Sequence, residues 1–185
     1  TVELVQDHLD GRLGVGSIPI DEQSKCSFGA LDIDDYNLDL IALKNKIDRL
    51  KLPLVVCRSK SGGAHCFLFV KEKISAAEMR DKLAEFASAL GFGGCEIFPK
   101  QEEVKVERGD VGNFINLPYF NAKYPTRYAI NKNGDAYTLD EFFELVETHV
   151  QTHEQMLALT VDEDETLPVP DGPPCLQILC REKIG

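Results

Sequence analysis

The sequence predicts a mixed α+β fold, and three observations carry that prediction. Short runs of period-two alternation are separated by Gly-, Asn- and Ser-rich turns, the pattern of antiparallel hairpins. Two Ser/Thr-x-x-Glu capping boxes open segments of helical periodicity. The regular strand–helix alternation of a doubly wound parallel sheet is not seen, nor is any internal repeat. A chain of 185 residues that is 43% hydrophobic has room for one domain, or one domain and a short appendage. Its apolar fraction excludes wholesale disorder.

The elements follow in order. The chain opens in an amphipathic segment containing Val2, Val5 and Leu9. Residues 28–34 read as a strand, with Leu31 and Ile33 alternating with Asp32 and Asp34. Asn37 is placed to cap a helix over 38–51, with Leu38, Ile41, Ile47 and Leu50 near one face. Leu54 to Arg58 and Ala64 to Val70 read as strands joined through Ser59-Lys60-Ser61-Gly62-Gly63, which predicts a hairpin. The box Ser75-Ala76-Ala77-Glu78 opens a helix ending near Leu90, and Gly91 follows where a terminating glycine belongs. Short strands are expected at Cys95 to Phe98, closed by Pro99, and at Asn113 to Leu117, closed by Pro118. Arg127 to Ile130 and Asp135 to Thr138 flank the turn Asn131-Lys132-Asn133-Gly134. The second box, Thr138-Leu139-Asp140-Glu141, opens a helix to about residue 157.

Charge is unevenly placed. The formal net charge is −11, which argues against nucleic-acid binding by global electrostatics. Residues 1–150 hold 24 acidic and 18 basic side chains, and residues 151–185 hold 7 and 2. Nearly half the excess therefore sits in a short tail. The stretch 161–170, Val-Asp-Glu-Asp-Glu-Thr-Leu-Pro-Val-Pro, reads as a solvated linker. Segment 51–73 runs the other way: Lys51, Arg58, Lys60, Lys71 and Lys73 face a single acid, Glu72.

Six cysteines, at 26, 57, 66, 95, 175 and 180, form no C-x-x-C pair, which argues against a zinc ribbon. No secretory signal is visible, so reduced thiols and a cytoplasmic location are expected. No uncharged apolar run approaches the roughly 20 residues of a membrane helix. Both ends look like cuts in a longer polypeptide. The expected organisation is a catalytic domain over 1–158, an acidic linker over 159–172 and the start of a helical segment over 173–185.

Four constellations could carry chemistry. Asp32 and Asp34 are two apart on an expected strand, so both carboxylates point to one side. Like charges so placed repel unless a divalent cation compensates them, and hard oxygen ligands suit Mg²⁺ or Mn²⁺. The plain alternative is a solvated acidic strand face. Ser59-Lys60-Ser61-Gly62-Gly63-Ala64-His65 offers backbone N–H groups and a histidine to phosphate oxygens, with Arg58 and Lys60 beside them; otherwise it is a flexible turn. Glu96 lies on a short strand among apolar residues, where a carboxylate needs a partner, unless the strand is an edge. Asn113 and Asn116, in Gly112-Asn113-Phe114-Ile115-Asn116-Leu117-Pro118-Tyr119-Phe120, could bind a base or sugar or merely satisfy backbone groups.

Separately these signals are weak, but their order is specific: D-x-D strand, helix, strand, S-x-S-G-G-x-H, strand, helix, E-x-F-P-K-Q, loop, G-N-x-I-N-L-P-Y-F. From His8-Leu9-Asp10-Gly11 to Phe120 the chain resembles the catalytic domain of the archaeo-eukaryotic primase superfamily. It is most similar to primase-polymerases of plasmids, phages, mobile elements and CRISPR-associated loci. The resemblance implies an RRM-like mixed or antiparallel catalytic sheet with flanking helices and an N-terminal α/β extension. It implies Asp32, Asp34 and Glu96 as ligands of two Mg²⁺ or Mn²⁺ ions. His65, with Ser61, Gly63, Lys60 and Arg58, is implied at the triphosphate of the incoming nucleotide; Lys100 and Asn116 are candidate contacts to nucleotide or template. The implied activity is two-metal nucleotidyl transfer from NTPs or dNTPs on a single-stranded DNA template, in primer synthesis or primer extension. The implied partners are template, primer and nucleotide. A C-terminal helical domain, which Pro173-Pro174-Cys175-Leu176 resembles at its opening, and a helicase or other replication or defence module would lie on the same chain.

Three rival readings stand beside this one. Nucleotide-sugar glycosyltransferases also use D-x-D, but usually after a nucleotide-binding α/β half, and only about 30 residues precede it here. A binding-only RRM-like module predicts an aromatic RNP stretch that no segment fits. A degenerate, structural primase subunit is opposed by retention of all three carboxylates and the histidine.

Overall fold

The computed structural model describes residues 2–161. The core is a β-α-β-β-α-β unit: β2 (Lys25–Ile33), α2 (Leu40–Arg49), β3 (Val55–Arg58), β4 (Ala64–Ser75), α3 (Ala76–Leu90) and β5 (Glu96–Phe98). Its four strands lie in the order β3-β4-β2-β5, each neighbour antiparallel. This is the split arrangement of RRM-like and ferredoxin-like sheets, so the fold is α+β as the sequence predicts. The β3–β4 hairpin forms as expected.

Both helices cover one face. Leu31, Ile33, Val56, Cys66, Leu68 and Val70 point at them and join Leu43, Ile47, Met79, Leu83 and Phe86 in the main core. A Cβ on Gly29 would come within 2.6 Å of Met79 and 2.8 Å of Leu83, so the missing side chain sets how closely α3 approaches β2. The capping box at Ser75 and Glu78 is fully formed, and Gly91 ends α3 with φ +86°.

Several boundaries depart from expectation for local reasons. The N-cap of α2 is Asp39, whose side chain accepts from the N–H of Ala42. Asn37 lies in the preceding turn, where its N–H donates to the Asp35 carboxylate. Ile41 is exposed, and Leu43 takes its place on the buried face with Ile47. The helix expected over 139–157 is two, α4 (Leu139–His149) and α5 (His153–Ala158). It breaks because Gln151 is recruited to β4: its N–H donates to Phe69 O at 3.0 Å and its carbonyl accepts from Lys71 at 2.8 Å. Thr152 and Gln155 then form a new capping box, a signal passed over in the sequence. The expected 127–138 hairpin is reduced to the bridge Ile130–Ala136 around its turn. Its first arm instead runs beside β3, bridging Cys57 to Ala129, with Arg58 N–H donating to Tyr128 O at 2.8 Å.

The N-terminal extension comprises α1 (Val2–Leu9) and β1 (Gly16–Ser17), which pairs with β6 (Ile115–Asn116) in a separate two-stranded sheet. Buried His8 is the rivet. Its Nδ1 accepts from Val15 N–H at 3.0 Å, which leaves Nε2 to donate to Pro118 O at 2.9 Å. The acidic linker beyond Val161, the C-terminal helical segment, Cys175 and Cys180 lie outside the described residues. No helix among the described residues is long and apolar enough to cross a membrane.

Candidate active site

The site lies on the sheet face away from α2 and α3. In an antiparallel ladder, directly opposed residues project to the same face. Asp32 is opposed on one side by His65 and on the other by Glu96, while His65 is also opposed by Cys57. One rung therefore carries Cys57, His65, Asp32 and Glu96 across four strands. The alternation that buries Leu31 and Ile33 under the helices turns Asp32 to this face.

Asp32 and His65 are mostly buried, and Nε2 of His65 lies 3.3 Å from Oδ1 of Asp32. The contact is out of line for a hydrogen bond, and Oδ1 is buried with no hydrogen-bond partner. An orphaned carboxylate oxygen on a polar rung is costly, and this is the observation that fits a hard divalent cation. β2 ends at Ile33, one residue before the strand expected from sequence. Asp34 is exposed just beyond it and accepts from Ser61 Oγ at 3.3 Å. Glu96 points to solvent rather than into the core and pairs with Lys100 Nζ at 2.7 Å; Lys100 also sits 5.0 Å over the Phe98 ring. Register thus aligns Asp32 with Glu96, and the β3–β4 turn reaches Asp34. Among the described residues, no three His, Cys, Asp or Glu side chains are drawn into one metal-holding cluster.

The turn is tightly built. Ser59 N–H donates to Gly63 O at 2.9 Å, Gly62 N–H to Ser59 O at 3.3 Å, and the Ser59 and Ser61 hydroxyls are 3.0 Å apart. Two of the N–H groups expected to face a phosphate therefore close the turn itself. Gly62 has φ +100°, and a Cβ on Gly63 would lie 2.1 Å from Ile33 O. Gly63 is thus required for contact with the backbone that leads into Asp34. Lys60 is exposed at the tip. Arg58 Nη1 donates to Thr126 O at 2.8 Å, which ties it to the added strand segment. Asn116 is exposed on β6, opposite Gly16, away from the central sheet.

Below the rung, on the helix side, the Cys66 and Cys95 thiols are raised above their ordinary range. Burial is the main cause, with the nearby Asp32 charge adding to it. Both stay protonated at neutral pH, in keeping with a packing role. The opposite end of the site face is apolar: Phe28, Phe67 and Phe69 line a cavity of about 290 Å³ with Leu9, Phe142 and Val146.

One residue passed over in the sequence reading stands out by its burial. Arg127 is 8% exposed, its guanidinium lies 5.2 Å over the Phe120 ring, and its Nε and Nη1 have no hydrogen-bond partner. The available signal was a lone arginine in phase with Ala129 in an apolar stretch.

A split β-α-β-β-α-β sheet with flanking helices and an N-terminal extension is consistent with the α+β fold of an archaeo-eukaryotic primase domain. Residues 1–158 match the family model described as "TOTE conflict system, Archaeo-Eukaryotic Primase domain". The chain belongs to that family, whose setting is conflict and defence and whose chemistry is primase-like nucleotidyl transfer or a related role. No curated protein matches the chain.

Proposed function

We propose that this domain is a DNA-dependent primase-polymerase that transfers nucleotides from NTPs or dNTPs to a 3′-hydroxyl on a single-stranded template. The observation that supports it is the rung: Asp32, with its buried unpartnered oxygen, stands between His65 and Glu96. Asp32, Asp34 and Glu96 would hold Mg²⁺ or Mn²⁺. Bound there, two such ions supply activation of the attacking hydroxyl and charge neutralisation at the departing pyrophosphate.

The chain's own groups do the rest. His65 is fixed by burial and by an edge contact with Phe67 at 6.0 Å, so its ring nitrogen can donate to a phosphate oxygen without reorganisation. Ser61 and Lys60, at the adjacent turn, add a hydroxyl and a positive charge, and Arg58 stiffens its base. Lys100 neutralises Glu96 until ligand arrives and can then turn to nucleotide or template. Asn116, on the second sheet, is kept as a candidate contact to nucleotide or template. We also propose the domain boundary at 158, a following acidic linker and helical segment, and a cytoplasmic location.

Primer extension tests the reading. The domain is incubated with Mg²⁺ or Mn²⁺, labelled nucleotides and a primed single-stranded template. Extension that falls to background in the double variant Asp32→Ala, Asp34→Ala supports a polymerase. No incorporation by a folded wild-type domain with either metal leaves a binding-only module instead.

A further inference from the structure

The geometry points to Ser59 as a positioning residue for Asp34, acting through the Ser61 hydroxyl; this rests on the reading of Asp34 as a metal ligand in the function proposed above. The three carboxylates are held differently. Asp32 is fixed inside the ladder between β4 and β5, and Glu96 is held by Lys100 at 2.7 Å. Asp34 is exposed, lies just beyond the end of β2 and takes no place in the register. Among the described residues, the hydrogen-bond partner of its carboxylate is Ser61 Oγ, 3.3 Å from Oδ1. That bond engages one oxygen and leaves Oδ2 open to a cation.

Counting protons orients the chain of hydroxyls. A serine hydroxyl has one proton to donate and two lone pairs with which to accept. The Asp34 carboxylate accepts only, so the Ser61 proton points at it. The other contact of Ser61 Oγ, 3.0 Å from Ser59 Oγ, is then accepted from Ser59. The relay runs from Ser59 to Ser61 to Asp34, and each donation strengthens the next. Its two ends differ in solvation. Ser61 and Asp34 are exposed, where a hydroxyl competes with water and turns among its rotamers. Ser59 is 3% exposed, and its backbone is fixed as well: its N–H donates to Gly63 O at 2.9 Å and its carbonyl accepts from Gly62 N–H at 3.3 Å. Gly63 in turn packs against Ile33 O, immediately before Asp34. A buried, backbone-anchored hydroxyl thus fixes the rotamer of an exposed one, and the exposed one fixes a carboxylate that no strand holds.

The test reads metal affinity directly. Mn²⁺ binding to the folded domain, without nucleotide or DNA, is measured by loss of the free-ion electron paramagnetic resonance signal. Wild type, Ser59→Ala, Ser61→Ala and the double variant are compared, and the binding scored is that abolished by Asp32→Ala plus Asp34→Ala. Loss of one hydrogen bond of the relay should weaken Mn²⁺ binding about two- to tenfold in Ser59→Ala. Ser61→Ala should behave similarly, and the double variant no worse than either, because both substitutions cut one chain. The inference is overturned by unchanged affinity in folded Ser59→Ala, by losses that multiply in the double variant, or by no Mn²⁺ binding to wild type. Should Ser59→Ala fail to fold, Ser59→Cys, which replaces the hydroxyl by a weaker donor, decides alone: weakened binding supports the inference and wild-type affinity overturns it. Primer extension is scored separately. A domain whose Mn²⁺ affinity depends on Ser59 but which extends no primer refutes the polymerase reading and leaves the positioning role standing. Extension with the same Mn²⁺ dependence in wild type and Ser59→Ala overturns the positioning role alone.

Discussion

Under α2 and α3, strands β2 and β4 present Leu31, Ile33, Cys66 and Leu68, all essentially inaccessible to solvent. On the opposite face the same strands present Phe28, Ala30 and Asp32, and His65, Phe67 and Phe69. Alternation is equally strict on both faces. The first is apolar along its whole length; the second is apolar at one end and turns polar at the rung of Asp32, His65 and Glu96. A buried sheet face that breaks its own pattern at one rung has accepted a desolvation penalty there. Such exceptions in an otherwise consistent sequence are where sites are found.

The neighbouring residues Leu31 and Asp32 provide the largest test of this contrast. Leu31→Ala should destabilise the domain by about 2–5 kcal/mol through lost burial and a residual cavity. Per folded molecule it should leave primer extension close to wild type. Asp32→Asn should do the reverse: extension lost, with urea stability unchanged or raised, because a charge with an orphaned buried oxygen is removed. If Asp32→Asn unfolds the protein while Leu31→Ala is silent, the assignment of the two faces is inverted.

Gly63 sits where the two faces meet. A Cβ there would press on Ile33 O at 2.1 Å, and a backbone atom cannot swing away as a side chain can. Gly63→Ala is expected to cost about 1–3 kcal/mol as overpacking. It should also reduce extension more than its stability loss explains, because the strain falls on the backbone entering Asp34. Melting and extension measured on the same preparations check this. A variant that loses stability alone would make Gly63 part of the core only.

Much of this was legible in the sequence because the signals are local. The capping boxes at Ser75 and Thr138, the hairpin through Ser59–Gly63 and the alternation of Leu31 and Ile33 with Asp32 depend on residues within four positions of each other, and these form as expected. What escaped depends on long-range partners. Gln151 breaks a helix because β4 recruits its backbone, and no local pattern announces that. Asp39 rather than Asn37 caps α2, and Asn37 sits in the turn before it. Arg127 was not selected because its burial comes from tertiary packing that no local pattern announces. Asp34 was expected on the strand itself, and the close approach of Gly63 to Ile33 O occurs just where β2 ends. The carboxylates are visible in the sequence as residue types, but their order across the strands required the register.

The smallest effect sharpens the comparison from the helix side. Ser75 Oγ accepts from Glu78 N–H at 3.2 Å, and Glu78 Oε2 accepts from Ser75 N–H at 3.1 Å and from its hydroxyl at 2.6 Å. These bonds, the hydroxyl first and then the backbone N–H, with His153 adding a little, hold the Glu78 carboxyl below its ordinary range. A depressed carboxyl contributes stability that is fully present above its unfolded value, near pH 4.3, and is lost as pH falls through the lower folded value. Ser75→Ala should therefore cost about 1 kcal/mol at pH 7, and the gap from wild type should narrow as pH drops below about 4. Urea midpoints at both pH values measure this. Extension per folded molecule should not change, because α3 supports the face that carries no chemistry. A selective loss of activity in Ser75→Ala would mean that the helix-covered face also sets the geometry of the rung.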